Sequence, residues 1–257
     1  MTRQPMPDPL HAKVAGRRLR YVRAGEGSPV IVFIGGAGMG IQSWQAVFAG
    51  AAARSTAFAY DRLDTGGSDR SSEAQSGAVI VATLRGLLES AGLDPPYLLV
   101  AHSLGGLFAN LFARIAPSEV AGMVLVDAAH PDQREERERR RLRLPVRAAT
   151  AALGLVDRVL GARRPSEMTS LDETRRQLDA AGPFPEIPLV VISGGKSPPS
   201  WLVSRVAHRD HLEHQRRLAA LSPHGRQVTA ERSGHFPQVT QPDLVLRAIE
   251  SVIQQAR

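Results

Sequence analysis

The chain has 257 residues, of which 43% are hydrophobic, enough for one sizeable core, and α/β domains of this length are often single. It contains no cysteine, which excludes disulfides and thiolate metal sites. The formal net charge is +7, and every basic residue except Lys13 and Lys196 is arginine. Arginine is spread along the chain, and its one dense run, 134–143, is interleaved with glutamate. This pattern predicts a solvated helical face and argues against nucleic acid as a partner.

The first nine residues lack the apolar core of a secretory signal, and no apolar stretch reaches membrane-spanning length. We therefore expect a cytoplasmic protein with no stable membrane insertion. The sequence does not indicate an oligomeric state.

Short β-rich runs alternate with helical patterns, as in a mostly parallel, twisted sheet flanked by helices on both faces. This is an α/β fold class. Strands are predicted at 19–23, 30–34, 56–60, 97–101, 123–126, 189–192 and 227–230. Helices are predicted at 42–53, 78–91, 104–115, 205–221 and 242–255. In open sheets of this type ligands bind at the carboxyl ends of the strands, so we expect functional residues in the loops that follow them.

The alternation is interrupted between residues 130 and 185. This stretch is first charged, then has a helical pattern with apolar positions such as Leu153, Val156 and Leu160. We expect a helical cap insertion over 130–185, with the core formed by 1–129 and 186–257. Two roles stay open for its apolar residues, which either line a substrate entrance or pack the insertion onto the core.

The most informative junction is 101–106, where an apolar run leads into a serine that is followed by an apolar helical pattern. It predicts a buried strand that turns sharply into a helix with Ser103 at the apex. Such a turn needs small residues two positions before and after the serine, and Ala101 and Gly105 meet this need. The hydroxyl is held near free N–H groups at the helix start, which can stabilise an oxyanion. Ser103 is therefore the candidate nucleophile.

A serine nucleophile requires a histidine base and a carboxylate that orients the histidine. His235 lies between the last predicted strand and the last predicted helix, beside the strand ends. Asp127 follows the run 123–126 at the same edge of the sheet and is the favoured acid. Asp210, inside the helical pattern 205–221, is the alternative.

Three further histidines share one helical pattern at intervals of three residues, namely His208, His211 and His214. Two of them could share a helix face, as metal ligands do. No accompanying motif completes such a site, so we expect neither a metal nor a cofactor.

The chain resembles the α/β-hydrolase family over nearly its full length. The resemblance rests on the Ser103 junction, the glycine-rich loop 35–38, the segment 61–68 and the Ser-Gly-His triplet 233–235. It implies the chain order nucleophile, acid, histidine, which Ser103, Asp127 and His235 follow. It also implies an oxyanion hole formed by the backbone N–H groups of Ala37 and Leu104.

Three departures from the family pattern concern the site. Gly35 stands where many relatives have histidine, and Asp64 stands where relatives usually have glycine. The usual acid of the family follows the penultimate strand, but residues 193–200 contain no acidic side chain. Some members carry the acid one strand earlier, which is the place of Asp127.

These residues indicate a carboxylesterase-like serine hydrolase that cleaves a small or moderately hydrophobic ester or lactone through an acyl-enzyme on Ser103. Two alternatives stay open, because a fold and a triad do not fix the substrate. One is a cofactor-independent lyase or cyclase. The other is a non-catalytic protein that binds a small molecule on the same scaffold.

Overall fold

The computed structural model describes residues 5–132, 166–196 and 205–256. Its strands are β1 (Leu10–Val14), β2 (Arg17–Ala24), β3 (Val30–Ile34), β4 (Ala57–Tyr60), β5 (Tyr97–His102), β6 (Val120–Val126), β7 (Leu189–Gly194) and β8 (Gly225–Ala230). They form one sheet in the order β1-β2-β4-β3-β5-β6-β7-β8. β2 runs antiparallel to β1 and β4, and the remaining neighbours are parallel. The predicted mostly parallel sheet is confirmed, and the edge strand β1 was not predicted.

The described helices flank this sheet. They are α1 (Phe48–Ala52), α2 (Gly77–Ser90), α3 (Gly105–Ile115), α4 (Ser166–Thr169), α5 (Leu171–Ala180), α6 (Arg205–Ala219), α7 (Pro237–Thr240) and α8 (Pro242–Gln255), with 3-10 turns at Ile41–Trp44 and Pro117–Glu119. The single helix predicted over 42–53 is wrong. Backbone bonds between residues three apart close a 3-10 turn there, and α1 starts only afterwards.

The central strands are apolar on both faces because helices cover both sides of the sheet. In β5, Leu99 and Ala101 belong to the core layer beneath α2 and α3, whereas Leu98 and Val100 belong to the layer beneath α8. All four side chains are fully buried. Because successive side chains of a strand point to opposite faces, each face of β5 packs against its own layer of helices.

Part of the predicted insertion lies on the core. In α5, Thr174 Oγ1 accepts the Gly77 N–H at 2.9 Å and Gln177 Oε1 accepts the Ala78 N–H at 2.9 Å, so both cap the start of α2. The charged run 134–143 and the apolar positions 153, 156 and 160 lie outside the described residues. The cap and its boundaries stay a prediction. Along the stretches of chain with described structure, no helix is long and apolar enough to cross a membrane.

Candidate active site

Ser103 occupies a sharp turn between β5 and α3. Its φ of +50° lies in the left-handed region, which is strained for a residue with a side chain. Two backbone bonds fix the turn, from Ser103 N–H to the Val126 carbonyl at 3.2 Å and from Ala129 N–H to the Ser103 carbonyl at 2.8 Å. A Cβ atom on Gly105 would lie 2.5 Å from the Ile34 carbonyl oxygen, which explains the need for a small residue there.

The structure brings the three predicted triad residues together. His235, in the loop between β8 and α7, places Nε2 3.0 Å from Ser103 Oγ. Its Nδ1 lies 2.7 Å from Asp127 Oδ2. Both contacts are satisfied when Nδ1–H donates to the carboxylate and Nε2 accepts from the hydroxyl. Asp127 therefore makes the contact with the histidine, and Asp210 lies on α6.

Asp127 is buried, yet it is well supplied with donors. Its Oδ1 accepts the Gly194 N–H at 2.8 Å and a hydrogen bond from His211 Nε2 at 2.8 Å. Burial by itself raises the pKa of this carboxyl, but the hydrogen bonds from His211 and His235, with that from Gly194, outweigh burial. They hold the pKa of Asp127 well below its usual range, so the side chain is a carboxylate at neutral pH.

The histidines of α6 have separate surroundings. His211 hydrogen-bonds Asp127, whereas the His214 ring stacks on His130 with centroids 4.8 Å apart. Among the residues whose placement is described, no three His, Asp or Glu side chains are grouped to hold a metal ion. His211 was not predicted as a partner of the acid. The available signal was its place on the helix that follows β7, where the family's usual acid is absent.

His102, directly before Ser103, supports the histidine loop. Its side chain is fully buried, and its Nε2 donates to the His235 carbonyl oxygen at 2.8 Å. The ring also packs against the rings of His235 and Phe236, with centroid distances of 4.8 and 5.2 Å. Burial lowers the pKa of His102 to about 4, so the ring is neutral at pH 7 and keeps its donor on Nε2.

The glycine-rich loop 35–38 passes directly against the candidate nucleophile. A Cβ atom on Gly36 would lie 3.1 Å from Ser103 Cβ. Beside this contact, the backbone N–H groups of Ala37 and Leu104 donate to no acceptor among the described residues. Free backbone donors next to a nucleophile are the groups from which an oxyanion hole is made.

The departure at Asp64 has a local explanation. Asp64 has a φ of +64°, a conformation that glycine adopts without strain and that aspartate tolerates with local hydrogen bonds. Its Oδ1 accepts the Ser71 N–H at 2.9 Å. The preceding Asp61 accepts the N–H groups of Ile41 and Gly67, each at 2.9 Å, and ties this turn to the 3-10 turn.

Comparison with known proteins finds a family model that matches most of the chain. The model describes the alpha/beta hydrolase family and matches residues 31–248. The chain is 34% identical over 110 residues to the uncharacterized protein YqjL of Bacillus subtilis (strain 168), an alignment that covers 43% of this chain. It covers 44% of YqjL, so this chain spans less than half of that relative.

Solved structures match over nearly the whole chain. A thermophilic esterase from Thermogutta terrifontis, with malate bound, has a TM-score of 0.66 at 20% identity and covers 97% of this chain and 99% of its own. Est816, described as an N-acyl homoserine lactone degrading enzyme, has a TM-score of 0.66 at 18% identity and covers 94% and 99%. At these identities the likeness shows the fold alone.

Proposed function

Because the chain belongs to the alpha/beta hydrolase family, we propose that it is a serine hydrolase that cleaves a carboxylic ester or lactone through an acyl-enzyme on Ser103. One observation carries the proposal, the position of the His235 ring. Its Nε2 lies 3.0 Å from Ser103 Oγ while its Nδ1 lies 2.7 Å from an Asp127 oxygen. A base in contact with both a hydroxyl and a carboxylate activates the hydroxyl as a nucleophile.

In the acylation step, His235 Nε2 takes the Ser103 proton while Oγ bonds to the ester carbonyl carbon. The carbonyl oxygen becomes an oxyanion, which the N–H groups of Ala37 and Leu104 stabilise. Asp127 stabilises the imidazolium that forms. The tetrahedral intermediate then breaks the bond to the alcohol oxygen, which leaves with the proton from His235.

The deacylation step repeats this sequence with water as the nucleophile. His235 takes a proton from water, whose oxygen bonds to the acyl carbon. When the second tetrahedral intermediate breaks down, the carboxylic acid leaves and Ser103 regains its proton. The proposed reaction requires no added co-reactant besides water.

Exposed apolar side chains near the site support a moderately hydrophobic substrate. Phe236 follows the candidate base, packs against its ring with centroids 5.1 Å apart and is 42% exposed. Met168 is 41% exposed and follows Glu167, whose carboxylate contacts the loop 35–38. Apolar surface of this kind favours the binding of an acyl or alcohol chain.

The proposal is tested with a fluorophosphonate probe and a p-nitrophenyl ester series of increasing acyl length, with lactones added. Wild type is expected to be labelled and to hydrolyse at least one ester, and Ser103→Ala is expected to lose both. Incorporation of ¹⁸O from water into the acid product distinguishes hydrolysis from a lyase or cyclase reaction. A folded wild type that the probe does not label contradicts the proposal and favours a binding protein.

The role of the acid is tested by a matched pair of substitutions. Asp127→Asn is expected to lower kcat by about 10⁴, because the asparagine cannot stabilise the imidazolium or fix its tautomer. Asp210→Asn makes the same chemical change on α6 and is expected to keep near-normal turnover. The opposite result would assign the acid to Asp210.

A further inference from the structure

A buried ion pair lies beneath the loop 35–38. Arg62, two residues after β4, and Glu167, in α4, each have a side chain that is only 3% exposed. Arg62 Nε donates to Glu167 Oε2 at 2.6 Å, and Arg62 Nη2 donates to Oε1 at 3.0 Å. Burial alone lowers the pKa of Arg62, but Glu167 raises it above its usual value, so the guanidinium keeps its charge.

Stability alone is a weak explanation for such a pair. Removing two charges from water is costly, and apolar side chains of similar size often replace a buried ion pair without loss of stability. The remaining hydrogen-bonding groups of Arg62 and Glu167 therefore indicate what the pair holds.

Those groups bind the glycine-rich loop. Arg62 Nη1 donates to the Gly35 carbonyl at 2.8 Å and Nη2 donates to the Gly36 carbonyl at 2.6 Å. Glu167 Oε1 accepts the Gly38 N–H at 2.8 Å. The ion pair therefore holds the loop by hydrogen bonds on both sides of Ala37.

The peptide between Gly36 and Ala37 fixes the direction of the Ala37 N–H. The Gly36 carbonyl and the Ala37 N–H belong to the same planar trans peptide, in which the C=O and N–H bonds point in opposite directions. Because the Gly36 carbonyl points down to Arg62, the Ala37 N–H must point away from the ion pair. A cation on the carbonyl also polarises the peptide and strengthens its N–H as a donor.

We propose that the Arg62–Glu167 pair is a positioning device that orients and polarises the Ala37 N–H as an oxyanion donor. The inference deepens the proposed function and rests on it. Among the described residues, Arg62 and Glu167 hydrogen-bond the loop 35–38 and each other and not the triad, so they act through Ala37 as positioning residues.

The main test is the apolar double variant Arg62→Met/Glu167→Leu, which removes both buried charges together. We expect a folded protein whose kcat on a p-nitrophenyl ester falls roughly 10²–10³-fold, the usual effect of losing one oxyanion donor. KM is expected to stay within about threefold, because the donor acts in the transition state. Affinity for phenylboronic acid, which forms a tetrahedral adduct with the serine, is expected to fall with kcat, whereas affinity for the planar acid product is not.

The control is Arg85→Met/Glu119→Leu, a more exposed ion pair between α2 and the turn Pro117–Glu119, with side chains 45% and 22% exposed. It is expected to keep kcat within about threefold of wild type, so that general effects of removing an ion pair are excluded. If the main double variant does not fold, Glu167→Gln replaces it. Its amide oxygen can still accept the Gly38 N–H, so an intermediate loss of kcat is expected.

A second measurement does not depend on esterase activity. Amide hydrogen exchange followed by NMR is expected to show a protected Gly38 N–H in wild type and a loss of that protection in the double variant. Equal exchange in both proteins, or a kcat within threefold of wild type, overturns the positioning role. If wild type hydrolyses no ester and is not labelled, the proposed function fails, and exchange at Gly38 still decides whether the pair holds the loop.

Discussion

Acidification is expected to destabilise the protein through His102, and His102→Gln is expected to remove this part of the pH dependence. Burial lowers the pKa of His102 to about 4, whereas an unfolded chain has a histidine pKa of about 6.5. Between these values the unfolded chain binds a proton that the folded protein does not bind. The stability that neutral His102 contributes is therefore fully present above pH 6.5 and is lost as the pH falls towards 4.

The magnitude follows from the size of the shift. Each pH unit between the two pKa values is worth about 1.36 kcal/mol for one proton. Between pH 7 and pH 4.5 the expected loss in free energy of unfolding from His102 is about 2 kcal/mol. His102 is fully buried, so solvent does not screen this effect.

The assay is urea unfolding followed by circular dichroism, at pH 7 and pH 4.5. Glutamine does not titrate and can still donate to the His235 carbonyl, so His102→Gln is expected to lose about 2 kcal/mol less than wild type on acidification. The matched control His11→Gln, on the exposed edge strand β1, is expected to keep the wild-type pH dependence. If wild type and His102→Gln lose equal free energy, the reasoning about a buried neutral histidine is refuted.

His211→Leu is expected to lower the free energy of unfolding at pH 7 by roughly 1.5–3 kcal/mol, because the Asp127 carboxylate loses one charged-group hydrogen bond. In urea unfolding, His211→Gln keeps a donor and is expected to lie closer to wild type. Equal losses in the two variants would count against this hydrogen bond. Gly105→Ala is expected to reduce both Tm and fluorophosphonate labelling, since the alanine Cβ would lie 2.5 Å from the Ile34 carbonyl oxygen. An unchanged Tm would show that the turn accommodates the added Cβ without strain. Thr174→Val is expected to cost about 1 kcal/mol in urea unfolding, because it removes the hydroxyl that caps α2. A Thr174→Ser variant keeps the hydroxyl and should lose less than the valine variant.

The sheet was predictable because its central strands are short apolar runs bounded by turns, a signal that survives without tertiary information. β1 was missed because it lacks such an apolar run. Among the described strands it pairs with β2 alone, and its side chains are exposed or half-buried. The wrong helix over 42–53 shows a limit of periodicity. Ile41, Trp44 and Phe48 recur at helical spacing and are all buried, but the same spacing fits a 3-10 turn followed by a short helix.

The residues of the candidate site were likewise predictable only in part. Ser103, Asp127 and His235 follow strand ends, so their positions could be inferred from the order of elements. Glu167 could not be inferred, because it follows no strand end, belongs to no motif and meets Arg62 only in the folded chain. His211 lies inside a helix, and its one signal was the place of that helix after β7. No local pattern distinguishes a buried, loop-binding carboxylate from the many solvated glutamates of this sequence.

Glu167 also limits how this protein can be recombined with its relatives. Residue 167 lies within the predicted insertion 130–185, yet its carboxylate hydrogen-bonds Gly38 of the core loop. A chimera that exchanges the whole of 130–185 would replace this carboxylate along with any substrate-selecting residues. A breakpoint placed before α4 would keep it, so we expect hybrid enzymes joined at that point to retain turnover while their substrate preference changes.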